Sequence, residues 1–173
     1  MVRAKFHRFK RNRKKMTAPT SEPVKFAADR MLGRLARWLR VIGQDVIYGR
    51  HLSGYGLIHA ARTENRLILT RDRGLKQKQP PKFIFIGSND YREQLRQVIR
   101  ECGLRAGDVL FSRCLECNAV LQPKSKESVE TLVPPYVFST QAEFFWCPQC
   151  RRVYWPATHH QKMLEELGNI GVL

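Results

Sequence analysis

The chain has 173 residues, 43% of them hydrophobic, and carries 31 Lys+Arg against 15 Asp+Glu, a formal net charge of +16. That length and apolar content support one folded domain plus a small module and exclude a disordered polymer. No apolar run approaches the ~20 residues of a membrane span and no apolar signal segment opens the chain, so a soluble, cytoplasmic protein is expected, with no membrane contact.

Residues 1–22 read as a disordered basic arm. Eight basic residues (Arg3, Lys5, Arg8, Lys10, Arg11, Arg13, Lys14 and Lys15) fall in the first fifteen positions, with no acid among them. Without them, 23 basic residues still face 15 acidic ones. Like charges held together cost free energy until a polyanion neutralises them, so arm and body both point to nucleic acid. A solubilising tail is the plainer alternative.

Val24 to Ala28 is a short strand candidate. From Arg30 to Ile42 the period is helical: Met31, Leu32, Leu35, Trp38, Leu39 and Ile42 share one side, and Arg30, Arg34, Arg37 and Arg40 the other. Gly33 on the same helix would let a backbone or ligand come close, and Gly43 ends it. A strand over Asp45–Tyr48 and a helix core over Leu57–Thr63 follow. Arg66–Thr70 and Lys82–Ile86 read as strands, and Asp90–Cys102 as a helix with Leu95, Val98, Ile99 and Cys102 on its apolar face. This alternation predicts an α/β fold with a mostly parallel sheet. Near Gly107 the character changes to cysteine pairs, prolines and short aromatic strands (Tyr136–Phe138, Glu143–Trp146, Val153–Trp155), with a helix over Gln161–Leu167. The expected division is an arm over 1–22, an α/β domain over 23–106 and a ribbon with a short helix over 107–173.

Cys114, Cys117, Cys147 and Cys150 have the spacing C-x2-C-x29-C-x2-C. Two intervening residues let both thiolates of a tight turn face one ion, and four thiolates complete a tetrahedron with no position open to water. This predicts a structural Zn²⁺ site that supplies folding energy to a module with little core of its own. A redox pair and an iron centre are the alternatives in the same sulfur geometry. Cys102 reads as a packing residue.

Asp29, Asp72 and Asp90 each follow a predicted strand. In an open parallel sheet the strand C-termini line the ligand-binding edge. Three carboxylates there would hold Mg²⁺ or Mn²⁺ and support phosphodiester hydrolysis. Each has a plainer role as well: Asp29 and Asp90 as helix caps, Asp72 in a turn before Gly74. Jointly, with Arg30, Arg34 and Arg37 beside Asp29, they point to a metal site next to phosphate-contacting arginines. Tyr136, Phe144, Phe145, Trp146, Tyr154 and Trp155 are aromatics for base stacking or, more simply, for the ribbon's own core.

The segment Phe26-Ala-Ala-Asp29-Arg-Met-Leu-Gly-Arg-Leu-Ala-Arg-Trp-Leu-Arg40 resembles the opening of the Mut-seven C-terminal RNase domain family, a branch of the PIN-like nucleases. So do Leu69-Thr-Arg-Asp72-Arg73, Ser112-Arg-Cys114-Leu-Glu-Cys117-Asn118, Cys147-Pro-Gln-Cys150, and Tyr154-Trp155 followed by His159. The resemblance runs in order from about residue 24 to 165. It implies a PIN-like three-layer α/β/α sandwich followed by a zinc ribbon, and a metal-dependent ribonuclease with Asp29, Asp72 and Asp90 as its acids. Arg30, Arg34, Arg37, Arg71, Arg73 and His159 are then the RNA-contact candidates; His159 would otherwise cap the last helix, and His160 reads as surface. One departure stands out: where family members carry an acid at the start of the second helix, this chain has Gly54-Tyr55-Gly56-Leu57-Ile58, and Glu64 lies at that helix's far end. Two functions therefore stand side by side. One is a ribonuclease; the other is a catalytically impaired protein that binds structured RNA or a ribonucleoprotein through the same basic surfaces.

Overall fold

Strands β1 (Lys25–Ala28), β2 (Asp45–Tyr48), β3 (Leu67–Thr70) and β4 (Phe83–Phe85) form one sheet in the order β2-β1-β3-β4, every neighbour parallel. The computed structural model describes residues 23–49, 52–105 and 109–173; the basic arm over 1–22 and the expected boundary at Gly107 lie outside the described residues.

Side-chain alternation along the strands builds three layers. Phe26, Ala28, Val46 and Leu69 point to one face, where they meet Leu35, Leu39, Leu95 and Val98 from helices α1 (Gly33–Val41) and α3 (Tyr91–Cys102). Ala27 and Ile68 point to the other, where they meet Leu57, Ile58 and Ala61 of helix α2 (Gly54–Thr63) and Leu75 of the 3₁₀ segment Arg73–Lys78. The parallel sheet expected from the alternation and the layering implied by the resemblance are both present, consistent with a PIN-like α/β fold. Cys102, half-buried at the end of α3, packs against the first of these cores as expected.

The C-terminal part holds a second, antiparallel sheet of β5 (Gln122–Lys124), β6 (Phe144–Trp146) and β7 (Val153–Tyr154), with helices α4 (Pro135–Thr140) and α5 (Thr158–Ile170). Val129, Val133 and Phe144 form its own small core, flanked by Val137, Phe138, Val153 and Trp155. Helix α5 reaches back: Leu167 and Ile170 are buried in the α1–α3 core, Arg96 Nε donates to the Ile170 carbonyl at 3.0 Å, and Glu166 accepts from Tyr91 and Arg92.

Four sequence expectations are corrected. Tyr136–Phe138 is helical, because Pro135 occupies the first helical position, where a missing N–H costs nothing, and so starts α4. The first helix begins at Gly33, three residues later than its apolar period, which leaves Met31 exposed. Gly33 admits the chain itself: a Cβ there would lie 2.6 Å from the Tyr48 hydroxyl. Arg40, placed by period on the polar side, is 4% exposed.

Candidate active-site cleft and metal centre

Strand order reverses between β1 and β3: from β1 the chain crosses to one side of the sheet and from β3 to the other. Ligands of open parallel sheets bind at the C-terminal ends of strands at such a switch point. Asp29 follows β1 directly, and Thr70 ends β3 before Arg71 and Asp72.

A cleft of about 480 Å³ opens there. Asp29, Asp72, Arg30, Arg71, Arg73 and Lys78 supply its charged lining. Asp29 is 4% exposed and fixed by hydrogen bonds. Its Oδ1 accepts from the Met31 amide at 2.7 Å; its Oδ2 accepts from the Thr70 hydroxyl at 2.5 Å and the Arg71 amide at 2.8 Å. Thr70 Oγ1 in turn accepts from the Asp72 amide at 3.0 Å. Asp72 is exposed and caps the 3₁₀ segment, its Oδ1 accepting from the Gly74 amide at 2.8 Å.

Asp90 stands elsewhere. It caps α3, with Oδ1 accepting from the amides of Arg92 at 2.8 Å and Glu93 at 3.2 Å, and it is not among the cleft's lining residues. The neighbouring Asn89 side chain bonds the Arg71 guanidinium, so that loop touches the cleft's rim. Glu64 ion-pairs with Arg66 at 2.6 Å and is absent from the cleft.

The arginine set divides. Arg30, Arg71 and Arg73 line the cleft. Arg34 lies on the α1 face toward α3, its guanidinium carbon 3.6 Å from the Tyr91 ring centroid, and Arg37 is exposed on α1. His159 is exposed on α5. The adjacent His160 is half-buried instead of lying on the surface: its ring packs on Phe111 with centroids 3.7 Å apart, and burial together with His159 lowers its pKa.

The four cysteines form the one group among the described residues in which at least three His, Cys, Asp or Glu ligand atoms all lie within 4.8 Å of one another. Cys114 and Cys150 sulfurs are 3.5 Å apart, those of Cys117 and Cys147 3.3 Å. An ion bound by four thiolates at ~2.3 Å has sulfur–sulfur edges of about 3.8 Å, so the donor set fits one metal and is consistent with structural zinc. The two knuckles repeat one local fold. In each, the amide of the second cysteine approaches the first cysteine's sulfur (3.5 Å in Cys114–Cys117, 3.4 Å in Cys147–Cys150). The residue after each pair, Asn118 or Arg151, has positive φ and returns its amide to the first cysteine's carbonyl at 3.0 Å. Burial pushes the Cys114 thiol up, but hydrogen bonds from Tyr154 and the Cys117 and Glu116 amides outweigh it and bring its pKa to about 6.

The first knuckle is bolted to the parallel sheet. Arg40 donates through Nε and Nη2 to the Val46 carbonyl at 3.0 and 2.8 Å, and through Nη1 to the carbonyls of Leu115 and Glu116, both at 2.9 Å. Asn118 accepts from the Val46 amide at 3.0 Å and donates to Asp45 at 2.8 Å.

A family model, the Mut7-C RNAse domain, matches residues 24–167. The chain belongs to this family. Neither the search of curated proteins nor that of solved structures finds a match. Mut7-C membership points to a ribonuclease-type function with RNA as the substrate class. Among the described residues, no helix is long and apolar enough to cross a membrane.

Within this Mut7-C chain, sequence reading missed Thr70, Arg40 and Lys78. Thr70 had a signal, since it ends its strand inside the Leu69–Arg73 motif. Arg40 had none, because its carbonyl acceptors at Leu115 and Glu116 are 75 and 76 residues away.

Proposed function

We propose that the chain is a Mg²⁺- or Mn²⁺-dependent ribonuclease of PIN-like type that hydrolyses RNA phosphodiesters in the Asp29–Asp72 cleft. One observation carries this reading: two carboxylates from adjacent strand ends, at the sheet's switch point, share a cleft with Arg30, Arg71 and Arg73.

The carboxylates leave room for a cation. Ionised Asp offers about four lone-pair sites. Asp29 uses three of them on protein donors, and Asp72 one. Mg²⁺ held by one or two carboxylates, with substrate phosphate and water completing the shell, suits such a set. The bound ion would supply an activated water and neutralise charge on the attacked phosphate. The chain's own groups do the rest. Thr70 and the Met31 and Arg71 amides fix the Asp29 carboxylate. Arg30, Arg71 and Arg73 draw the phosphate in and offset its charge. Asp90, on the loop that meets Arg71 through Asn89, is the third acid of this reading.

Zinc is the proposed ion of the four cysteines, holding a ribbon over 107–173 against the α/β domain over 23–106. The arm over 1–22 adds nonspecific RNA affinity, and Arg34, Arg37 and His159 extend the basic surface; the proposed setting is the cytoplasm. RNA cleavage with Mn²⁺ by the parent, Asp29→Asn and Asp72→Asn tests the nuclease. Loss of at least tenfold in each variant supports it, and equal activity in all three overturns it.

A second reading is a catalytically impaired protein that binds structured RNA or a ribonucleoprotein. It is favoured by the Gly54 position, which offers no carboxylate to the cleft and stands beside the Lys78 ammonium. Tight RNA binding by a parent that cleaves no RNA would support it.

A further inference from the structure

We propose that Lys78 and Tyr55 form a subsite at the cleft mouth for one unpaired nucleotide, Lys78 binding its phosphate and Tyr55 stacking its base. This rests on RNA being the cleft's substrate, and it narrows the substrate class to single-stranded RNA or unpaired segments.

The backbone that carries Lys78 is held in place before any ligand arrives. It ends the 3₁₀ segment Arg73–Lys78, which Asp72 caps at its start. Leu75, within that segment, is fully buried under α2. The Gln79 carbonyl just beyond accepts from Arg62 Nη2 at 2.8 Å. The backbone at Lys78 is therefore anchored at the far end of the segment that Asp72 caps, and Lys78 lines the cleft. Among the described residues no carboxylate lies within ion-pair distance of its ammonium.

Gly54 leaves room beside Lys78. A Cβ at that position would lie 3.2 Å from Lys78 Nζ, and the Gly54 backbone has φ +52, which favours glycine. Glycine thus leaves space at the start of α2, and a cation fills its edge. Next to it, Tyr55 is 72% exposed, with Lys78 Nζ 5.5 Å from its ring centroid. Most of Tyr55 remains in water, next to Gly54 and Lys78, which line the cleft together with two carboxylates and three arginines.

A solvent-exposed aromatic beside an ammonium with no carboxylate partner among the described residues suits a nucleotide: stacking accepts any base, and the cation takes the attached phosphate. Only a base free of its own duplex stack offers a face to the ring, which selects unpaired RNA.

The test measures binding of an oligouridylate of about ten nucleotides, and of a blunt RNA duplex, in buffer without Mg²⁺ or Mn²⁺. Tyr55→Ala is expected to weaken the single strand about 5- to 100-fold without changing its salt slope, and Tyr55→Phe to stay near the parent. Lys78→Gln is expected to lower the slope of log K against log salt by about 0.7. Duplex affinity should respond to neither Tyr55 variant. The subsite is overturned if Tyr55→Ala binds the single strand as the parent does, if Lys78→Gln leaves the slope unchanged, or if Tyr55→Ala weakens duplex binding equally. Binding needs no turnover, so a parent that binds as described but cleaves nothing with Mn²⁺ would remove the ribonuclease and leave the subsite standing.

Discussion

The Thr70 hydroxyl donates to Asp29 Oδ2 at 2.5 Å, joining the ends of neighbouring parallel strands across 41 residues of sequence. Both groups are buried, so the bond is made where water cannot replace it. Thr70→Val keeps the shape and removes the donor. It should destabilise the fold by about 1–3 kcal/mol and lower Mn²⁺-dependent cleavage by tenfold or more. Thr70→Ser should restore most of both. Urea midpoints and initial rates on one RNA check this, and a Val variant with parental values would remove Thr70 from the site.

Arg40 offers a sharper stability test. Its guanidinium satisfies three carbonyls on two parts of the chain, Val46 on one side and Leu115 and Glu116 on the other. Arg40→Ala should cost about 3 kcal/mol or more, because it removes the buried bonds to Val46 and the part-buried ones to Leu115 and Glu116. Arg40→Lys should recover little, since an ammonium cannot reproduce the planar fork. Denaturant unfolding of the three proteins decides it.

Asp45 predicts the acid limb of stability. Burial alone would raise its pKa, but hydrogen bonds from Arg66 and Asn118 and the nearby charges of Arg66 and Arg113 outweigh it and hold the carboxyl below its usual range. A folded pKa below the unfolded one means the contribution is complete above pH ~4 and disappears as pH falls through the folded value. The difference in Tm between parent and Asp45→Asn should therefore be constant from pH 5 to 7 and shrink below pH 4. A gap that persists at pH 2 would contradict this.

Removing the proposed zinc, by chelation or by Cys114→Ser, should release the ribbon. Structural zinc contributes on the order of 10 kcal/mol to small modules, and Val129, Val133 and Phe144 are too small a core to replace it. Trp146 and Trp155, both half-buried, should become exposed, seen as a red shift in fluorescence. Rebinding of Zn²⁺ should reverse the shift in the chelated parent but not in the variant.

The arm makes its own prediction. Eight Lys and Arg within the first fifteen residues can each release about 0.7 counterion on a single strand. Deleting residues 1–15 should flatten the salt dependence of RNA binding substantially while leaving the Tm unchanged. An unaltered slope would show that the body alone meets the RNA.

How far the sequence could be read follows from the range of each interaction. The parallel sheet was legible because Phe26–Ala28 and Leu67–Thr70 are short apolar runs between helical periods, and neither needs a distant partner to be recognised. The sulfur cluster was legible because each C-x-x-C pair is local and only one pairing of the two knuckles was needed. Asp29 and Asp72 could be placed at one sheet edge from strand ends alone. Asp90 looked the same in sequence; that its carboxylate caps its own helix and is not among the cleft's lining residues is a choice that spacing does not encode. Tyr136–Phe138 failed for a different reason: aromatic and β-branched residues imitate a strand, and Pro135 at a helix start decided the matter.

Helix α5 has a temporal consequence. Leu167 and Ile170, beyond the second cysteine pair, complete the core that Leu35 and Leu39 begin. Synthesis runs from the N-terminus, so the parallel sheet and its helices are made well before the two side chains that close this core. Until α5 arrives, α1 and α3 carry an open apolar seam, and the first core of the fold is finished by a helix that the cysteine module delivers.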